Sequence, residues 1–364
     1  MAVQAVLMIG TRKGLFIARS DDGRRTWTLD GPDELMSDVH AVAVDTRDGS
    51  PRLFMASRHW HWGPRVLHSD DLGKTWEATP NGAVRFPEDT GASLEAVWSI
   101  TPSPSEPGVV WAGTEPSALF RSEDRGETFT MVRPLWDHPH RPQWQPGNGG
   151  QAIHTVLPHP EDPQRVTVAM STGGVYRSTD AGGSWEPANR GIKVEFMPDD
   201  IQYPEFGQCV HKVARDPGNA DVLYAQNHGG VYRSDDAGDS WTSIAAGLPC
   251  DFGFPVVAHP RTPGTLYLFP IESSDGRFPP DGSCRVWRSR DAGETWEPLG
   301  KGLPASGFYT GVLRDAMCVD QGDPAGVYFG SRDGTVYASD DEGDSWQVVA
   351  QHLPDVLSVR AAIL

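Results

Sequence analysis

The chain has 364 residues and a formal net charge of −18, from 49 acidic and 31 basic side chains. A surface of that sign repels phosphate backbones and argues against nucleic acid as a partner. No apolar run approaches the roughly 20 residues of a membrane-spanning helix, and 13 Trp, 40 Gly and 31 Pro suit a turn-rich all-β protein.

In chain order, Met1–Gly10 has no basic segment ahead of its apolar residues and runs directly into a strand, so no export signal is expected. Val6–Thr11 and Leu15–Ser20 read as the second and third strands of a blade that lacks its first. A box of the form Ser-x-Asp-x-Gly-x-Ser/Thr-Trp/Phe then recurs at Ser69–Trp76, Ser122–Phe129, Ser178–Trp185, Ser234–Trp241, Ser289–Trp296 and Ser339–Trp346, with an irregular first copy at Ser20–Trp27. A period of about fifty residues with several short strands per repeat marks a propeller. The fourth repeat is the clearest, with strands around Gln151–Pro158, Val166–Met170, Val175–Ser178 and Ser184–Pro187. The box sits on its last turn, where Asp can accept backbone N–H groups and Gly can take positive φ. Leu357–Leu364 reads as an unpartnered strand that supplies the strand missing at the N-terminus. The expected fold is therefore all-β: one domain over residues 1–364, a seven-bladed propeller of four-stranded blades closed by the C-terminal strand joining the N-terminal blade. A closed ring of this kind is expected to be self-sufficient as a monomer.

Long connections at 81–93, 134–150, 191–207 and 271–283 gather on the end of the ring opposite the boxes, which makes that face the candidate site. Aligning the inner strands by their apolar residues puts His40, Glu95, His154 and His211 at one level, with Phe254, Asp315 and Ser358 in the other blades. Imidazoles and a carboxylate suit one divalent metal ion. The same groups could instead line a wet channel, or Glu95, His154 and His211 could act as general acid and base without metal. No other cofactor is expected. Arg12, His59, Glu115, His228, Glu272 and Arg332 fall on turns at the same face, and His59-Trp60-His61-Trp62 offers rings on which a sugar could stack.

The loop from Glu195 to Cys209 carries four carboxylates among apolar residues, as a lid or as a solvated acidic loop. Two of Glu95, Glu115, Asp199, Asp200 and Glu205 could pair for glycoside cleavage. Asp137-His138-Pro139-His140 reads as an ordered Pro-rich loop rather than a metal motif. Cys209, Cys250, Cys284 and Cys318 lack Cys-x-x-Cys spacing and are expected as free thiols in a reducing compartment, hence a cytoplasmic protein.

Through its boxes the chain resembles the BNR or Asp-box repeat superfamily, which includes sialidases, xyloglucan-active glycosidases, sortilin-type receptor ectodomains and photosystem II assembly-factor propellers. Its length and box number are similar to those of bacterial proteins labelled exo-α-sialidase or BNR-like glycosyl hydrolase. The resemblance implies a small polar, carbohydrate-like ligand and, if the protein is an enzyme, a hydrolase or lyase. Its rival is a non-catalytic scaffold with a protein partner. A true exo-α-sialidase ranks third, because the chain has no Arg-Ile-Pro motif and reads as seven blades where sialidases resemble six-bladed rings.

Overall fold

The computed structural model describes residues 4–47, 49–78, 83–147, 150–195 and 197–364. Residues 79–82, 148–149 and 196, within or beside three of the long connections, lie outside them, including Phe196 of the expected lid.

The fold is an all-β propeller. Five four-stranded antiparallel sheets begin with the inner strands Ser37–Asp45, Ala96–Pro102, Ile153–Pro158, Val210–Arg215 and Gly253–Ala258. An eight-stranded sheet holds the remaining strands. In it, Val312–Val319 meets Val356–Ile363 through one parallel bridge, Asp315 to Ser358. On its other edge Val356–Ile363 pairs antiparallel with Ala5–Thr11, in a register that sets Leu7 opposite Ala361 and Ile9 opposite Val359. The chain ends thus share a sheet because each carries an apolar β-branched run that neither could bury alone.

The boxes are self-contained turns. In the fourth, the Gly182 N–H donates to Ser178 Oγ (2.8 Å), and the Ser178 hydroxyl donates to Asp180 Oδ1 (2.8 Å). The Ser184 N–H and hydroxyl donate to the two oxygens of Asp180 (2.8 and 2.7 Å). Gly182 has φ 93°, a backbone that favours glycine. The irregular first box closes the same way, with Arg24 in the glycine position at φ 71°. The Arg24 guanidinium reaches Asp320 (3.1 Å) and the Pro324 carbonyl (2.9 Å), so the departure from the pattern ties the first box to the turn after Val312–Val319. Core side chains pack between successive sheets: Phe54 and Phe120 share one cluster, and Trp111 and Tyr176 another.

Candidate functional site

The inner strands surround a channel. A cavity of about 490 Å³ is lined by residues of seven strands, the five named above together with Val312–Val319 and Val356–Ile363. A second cavity of about 740 Å³ opens on the loop face, and Trp98 and Asp315 line both. No described box residue lines the loop-face cavity.

The inner strands reach the cavity through β-bulges, each of which leaves one or more residues outside the cross-strand ladder and re-aims a side chain. The ladder slips at His40 between Val39 and Ala41, at His154 between Ile153 and Thr155, and at His211 between Val210 and Lys212. In the Ala96–Pro102 strand the slip falls between Val97 and Ser99, so the counterpart of those histidines is Trp98. This corrects the expected register. Leu94-Glu95-Ala96-Val97 and Val97-Trp98-Ser99-Ile100 carry similar apolar patterns three residues apart, and only the cross-strand pairing chooses between them. Glu95 is exposed and lines neither cavity.

The three histidines are not equivalent. His154 is fully buried, with Nε2 on the Val210 carbonyl (2.8 Å) and Nδ1 on Thr155 Oγ1 (3.1 Å), and it lines the cavity of about 490 Å³. Burial, then the nearby Arg314 and Lys212, holds its pKa well below the ordinary histidine value. His40 and His211 line the loop-face cavity. Burial first, then Arg58, Arg12 and Arg314, brings His40 down to about 4. His211 falls to about 3, from burial and Arg314, and its Nδ1 donates to the Gly253 carbonyl (2.5 Å). The expected four-residue metal set does not converge: among the described residues, the group with ligand atoms close together is Cys209, His211 and His228, all within 4.8 Å of one another.

The remaining candidates divide by place. Arg12 and Arg332 stand on the exposed rim, both paired to Asp355 (3.4 and 3.0 Å), and both line the cavity, as does His228. Glu115 lies behind Trp98 and accepts from its Nε1 (2.9 Å); burial raises its pKa. His59 Nδ1 accepts the N–H groups of His61 and Trp62 (3.0 and 3.1 Å), closing a hairpin tip on which Trp60 and Trp62 are each 70% exposed. That tip, with exposed His61, stands outside the cavity lining, as do exposed Glu272, Asp199, Asp200 and Glu205. His138 and His140 pack against Tyr176, and His140 Nδ1 lies 3.0 Å from its hydroxyl, as an ordered loop requires.

Asp315, which the apolar alignment set in the inner-strand column, lines both cavities, whereas that alignment did not place Arg314 or Lys212. The ladder of Val312–Val319 slips between Val312 and Met317, and this segment carries Arg314 and Asp315. The Arg314 guanidinium lies 5.5 Å from the centre of the Trp98 ring, and its Nη1 is buried without a hydrogen-bond partner. Asp315 Oδ1 accepts from the Lys212 ammonium, while its Oδ2 is buried and unpartnered. Two orphaned polar atoms of opposite charge on adjacent residues are costly unless something else satisfies them.

The histidines and boxes together set a pH dependence. An unfolded histidine takes up a proton below 6.5, whereas native His40 stays neutral to about 4, so stability falls as pH drops through that window. Asp71 is held at about 2, chiefly by the Thr75 backbone N–H, so its contribution is present above 3.8 and is lost as pH falls from there towards 2. We therefore expect the urea midpoint to decline in two stages on acidification, with His40→Gln reducing the upper one, to which His154 and His211 also contribute. A midpoint that stays level from about pH 7 to about pH 4.5 would contradict this account.

No family model matches the chain. It is 26% identical over 318 residues to an oligoxyloglucan-reducing end-specific xyloglucanase of Emericella nidulans, covering 78% of this chain and 35% of that protein. A xyloglucanase of Hypocrea jecorina is 24% identical over 301 residues, covering 72% of this chain and 32% of that one. The chain thus spans about a third of the length of these curated relatives. Among solved structures, an ancestral GH74 enzyme aligns with TM-score 0.58 at 17% identity, over 86% of this chain and 38% of that one. YCF48 bound to D1 peptide aligns with TM-score 0.52 at 15% identity, over 94% and 95% of the two chains. These likenesses support a β-propeller fold, and the structural ones speak for the fold alone.

Proposed function

We propose that the chain is a single seven-bladed propeller whose loop-face cavity binds, and as a hydrolase cleaves, a small carbohydrate-like ligand bearing an anionic group. Dividing the eight-stranded sheet at its one parallel bridge leaves two four-stranded blades beside the other five, and seven strands line the channel. The join of Val356–Ile363 to Ala5–Thr11 is the proposed closure. Four free cysteines support a reducing, cytoplasmic setting.

One observation carries the ligand class: Arg314 Nη1 is buried and unpartnered in a cavity that also holds Arg12, Arg277 and Arg332. A guanidinium fork binds the paired oxygens of an anionic group such as a carboxylate, and the neighbouring Trp98 ring offers a face for a sugar. Asp315 Oδ2 is the acceptor placed to take a proton, with Lys212 holding the other oxygen. The xyloglucan-active relatives support a sugar as the scaffold of the ligand. Calorimetric titration with neutral xylogluco-oligosaccharides, oligouronides and sialyllactose tests the reading. Binding by acidic sugars in preference to neutral ones is expected, with reducing ends released from the substrate among them. Absence of binding by every acidic sugar would overturn it.

A second reading, a scaffold for a protein partner, draws on the exposed Trp60 and Trp62 and on Leu35 and Met36, 63% and 59% exposed on a neighbouring segment tied to this hairpin through Glu34 and Arg65. A partner bound there would be indifferent to Arg314→Gln.

A further inference from the structure

We propose that Cys209, His211 and His228 form a site for one zinc ion open to the loop-face cavity. The inference concerns the same cavity as the function proposed above, but it stands on different side chains.

The backbone brings the three together. His228 follows the strand Leu223–Asn227, and its N–H donates to the Cys209 carbonyl (2.8 Å), so the two residues face each other across the ladder. His211 enters from the bulge two residues beyond Cys209. Its Nδ1 must carry the proton, because its partner, the Gly253 carbonyl, can only accept. That leaves the lone pair on Nε2, which lies 3.7 Å from Cys209 Sγ. Two ligands about 2.3 Å (S) and about 2.0 Å (N) from a tetrahedral zinc stand roughly 3.5 Å apart, so this pair is already near its bound spacing. A backbone carbonyl on the outer ring nitrogen is the usual device that orients a metal-binding imidazole. Phe252 packs on both histidine rings (5.5 and 5.0 Å between centres) and Phe254 on His211 (4.8 Å), fixing the rings from behind.

The donor set chooses the metal. Magnesium and calcium demand oxygen ligands, whereas one thiolate and two imidazoles suit zinc. Arg277 and Arg314 line the same cavity and repel cations, and burial disfavours the Cys209 thiolate, so zinc would displace the thiol proton on binding and the thiolate formed would offset part of that repulsion. Three protein ligands leave a fourth position facing the cavity for water or for a ligand oxygen.

The test uses the full-length protein stripped with EDTA and titrated with Co²⁺ alone. We expect a single equivalent to bind, with a thiolate-to-cobalt charge-transfer band in the near ultraviolet and the intense visible bands of tetrahedral Co²⁺, both lost on adding Zn²⁺. Cys209→Ser should abolish the charge-transfer band, and His228→Gln should weaken binding by about tenfold or more. Glu95→Gln, which removes an exposed carboxylate, should leave the titration unchanged. If Cys209→Ser does not fold, protection of Cys209 from iodoacetamide by Zn²⁺ in the unaltered protein reads the same contact. No stoichiometric Co²⁺ binding, or a charge-transfer band that survives in folded Cys209→Ser, overturns the proposal. A protein that binds Co²⁺ but no acidic sugar keeps this site and loses the proposed function; the reverse result loses this site alone.

Discussion

Asp320→Ala is expected to destabilise the protein by about 3–5 kcal/mol, the range found when one partner of a buried ion pair is removed. Asp320 is 1% exposed, and its carboxylate accepts from Arg24 Nη1 (3.1 Å), the Tyr328 hydroxyl (2.7 Å) and the N–H groups of Gly322 and Gly326 (2.8 Å each). The alanine variant would strand all four donors, one of them a charged guanidinium that has little access to water. Arg24 belongs to the first box and Asp320 to the segment after Val312–Val319, so the pair links regions far apart in the chain. Urea unfolding at constant slope measures the loss, and Arg24→Met in the Asp320→Ala background should recover part of it by removing the unpaired charge. A loss under about 1 kcal/mol, the range of an exposed pair, would show that this contact is not holding the ends together.

Arg314→Gln is expected to weaken binding of an acidic sugar by roughly thirtyfold to several thousandfold, corresponding to about 2–5 kcal/mol for loss of a buried charged hydrogen-bond partner. The substitution keeps most of the side-chain length and a polar end, so the cavity should hold its shape while losing the fixed positive charge. Neutral sugars, which make no use of that charge, should bind as before. Calorimetry on the two ligand classes separates these outcomes. Equal weakening of both would point to a collapsed cavity, and no change in either would remove Arg314 from the ligand.

The parts of this protein that the sequence made legible are those in which cause and effect lie close along the chain. The box from Ser178 to Trp185 can be read directly because the hydrogen bonds of Ser178, Asp180 and Ser184 all close within it. The inner strands can be read because apolar residues alternate with turn residues. His40 and His211 were placed at the cavity by the apolar residues beside them, and both line it. Glu95 was misplaced by the same reasoning. Two overlapping apolar patterns fit equally well, and the choice of Trp98 lies in a hydrogen-bond ladder with Val110–Glu115, which a one-dimensional pattern does not contain.

The site's chemistry shows the same boundary more sharply. Sequence by itself determined an all-β repeat chain, the positions of its box turns, the candidate face, and an N-terminal strand lacking the partner that Val356–Ile363 provides. Tertiary structure alone decided that Trp98 and Arg314 meet at 5.5 Å, that Asp315 keeps one oxygen free of Lys212, and that Cys209 and His228, rather than His40 and Glu95, converge with His211. Turns and strands follow from local hydrogen bonds and side-chain alternation. A pocket instead depends on which residues of different strands the bulges aim at one another, and that is set by the register between strands.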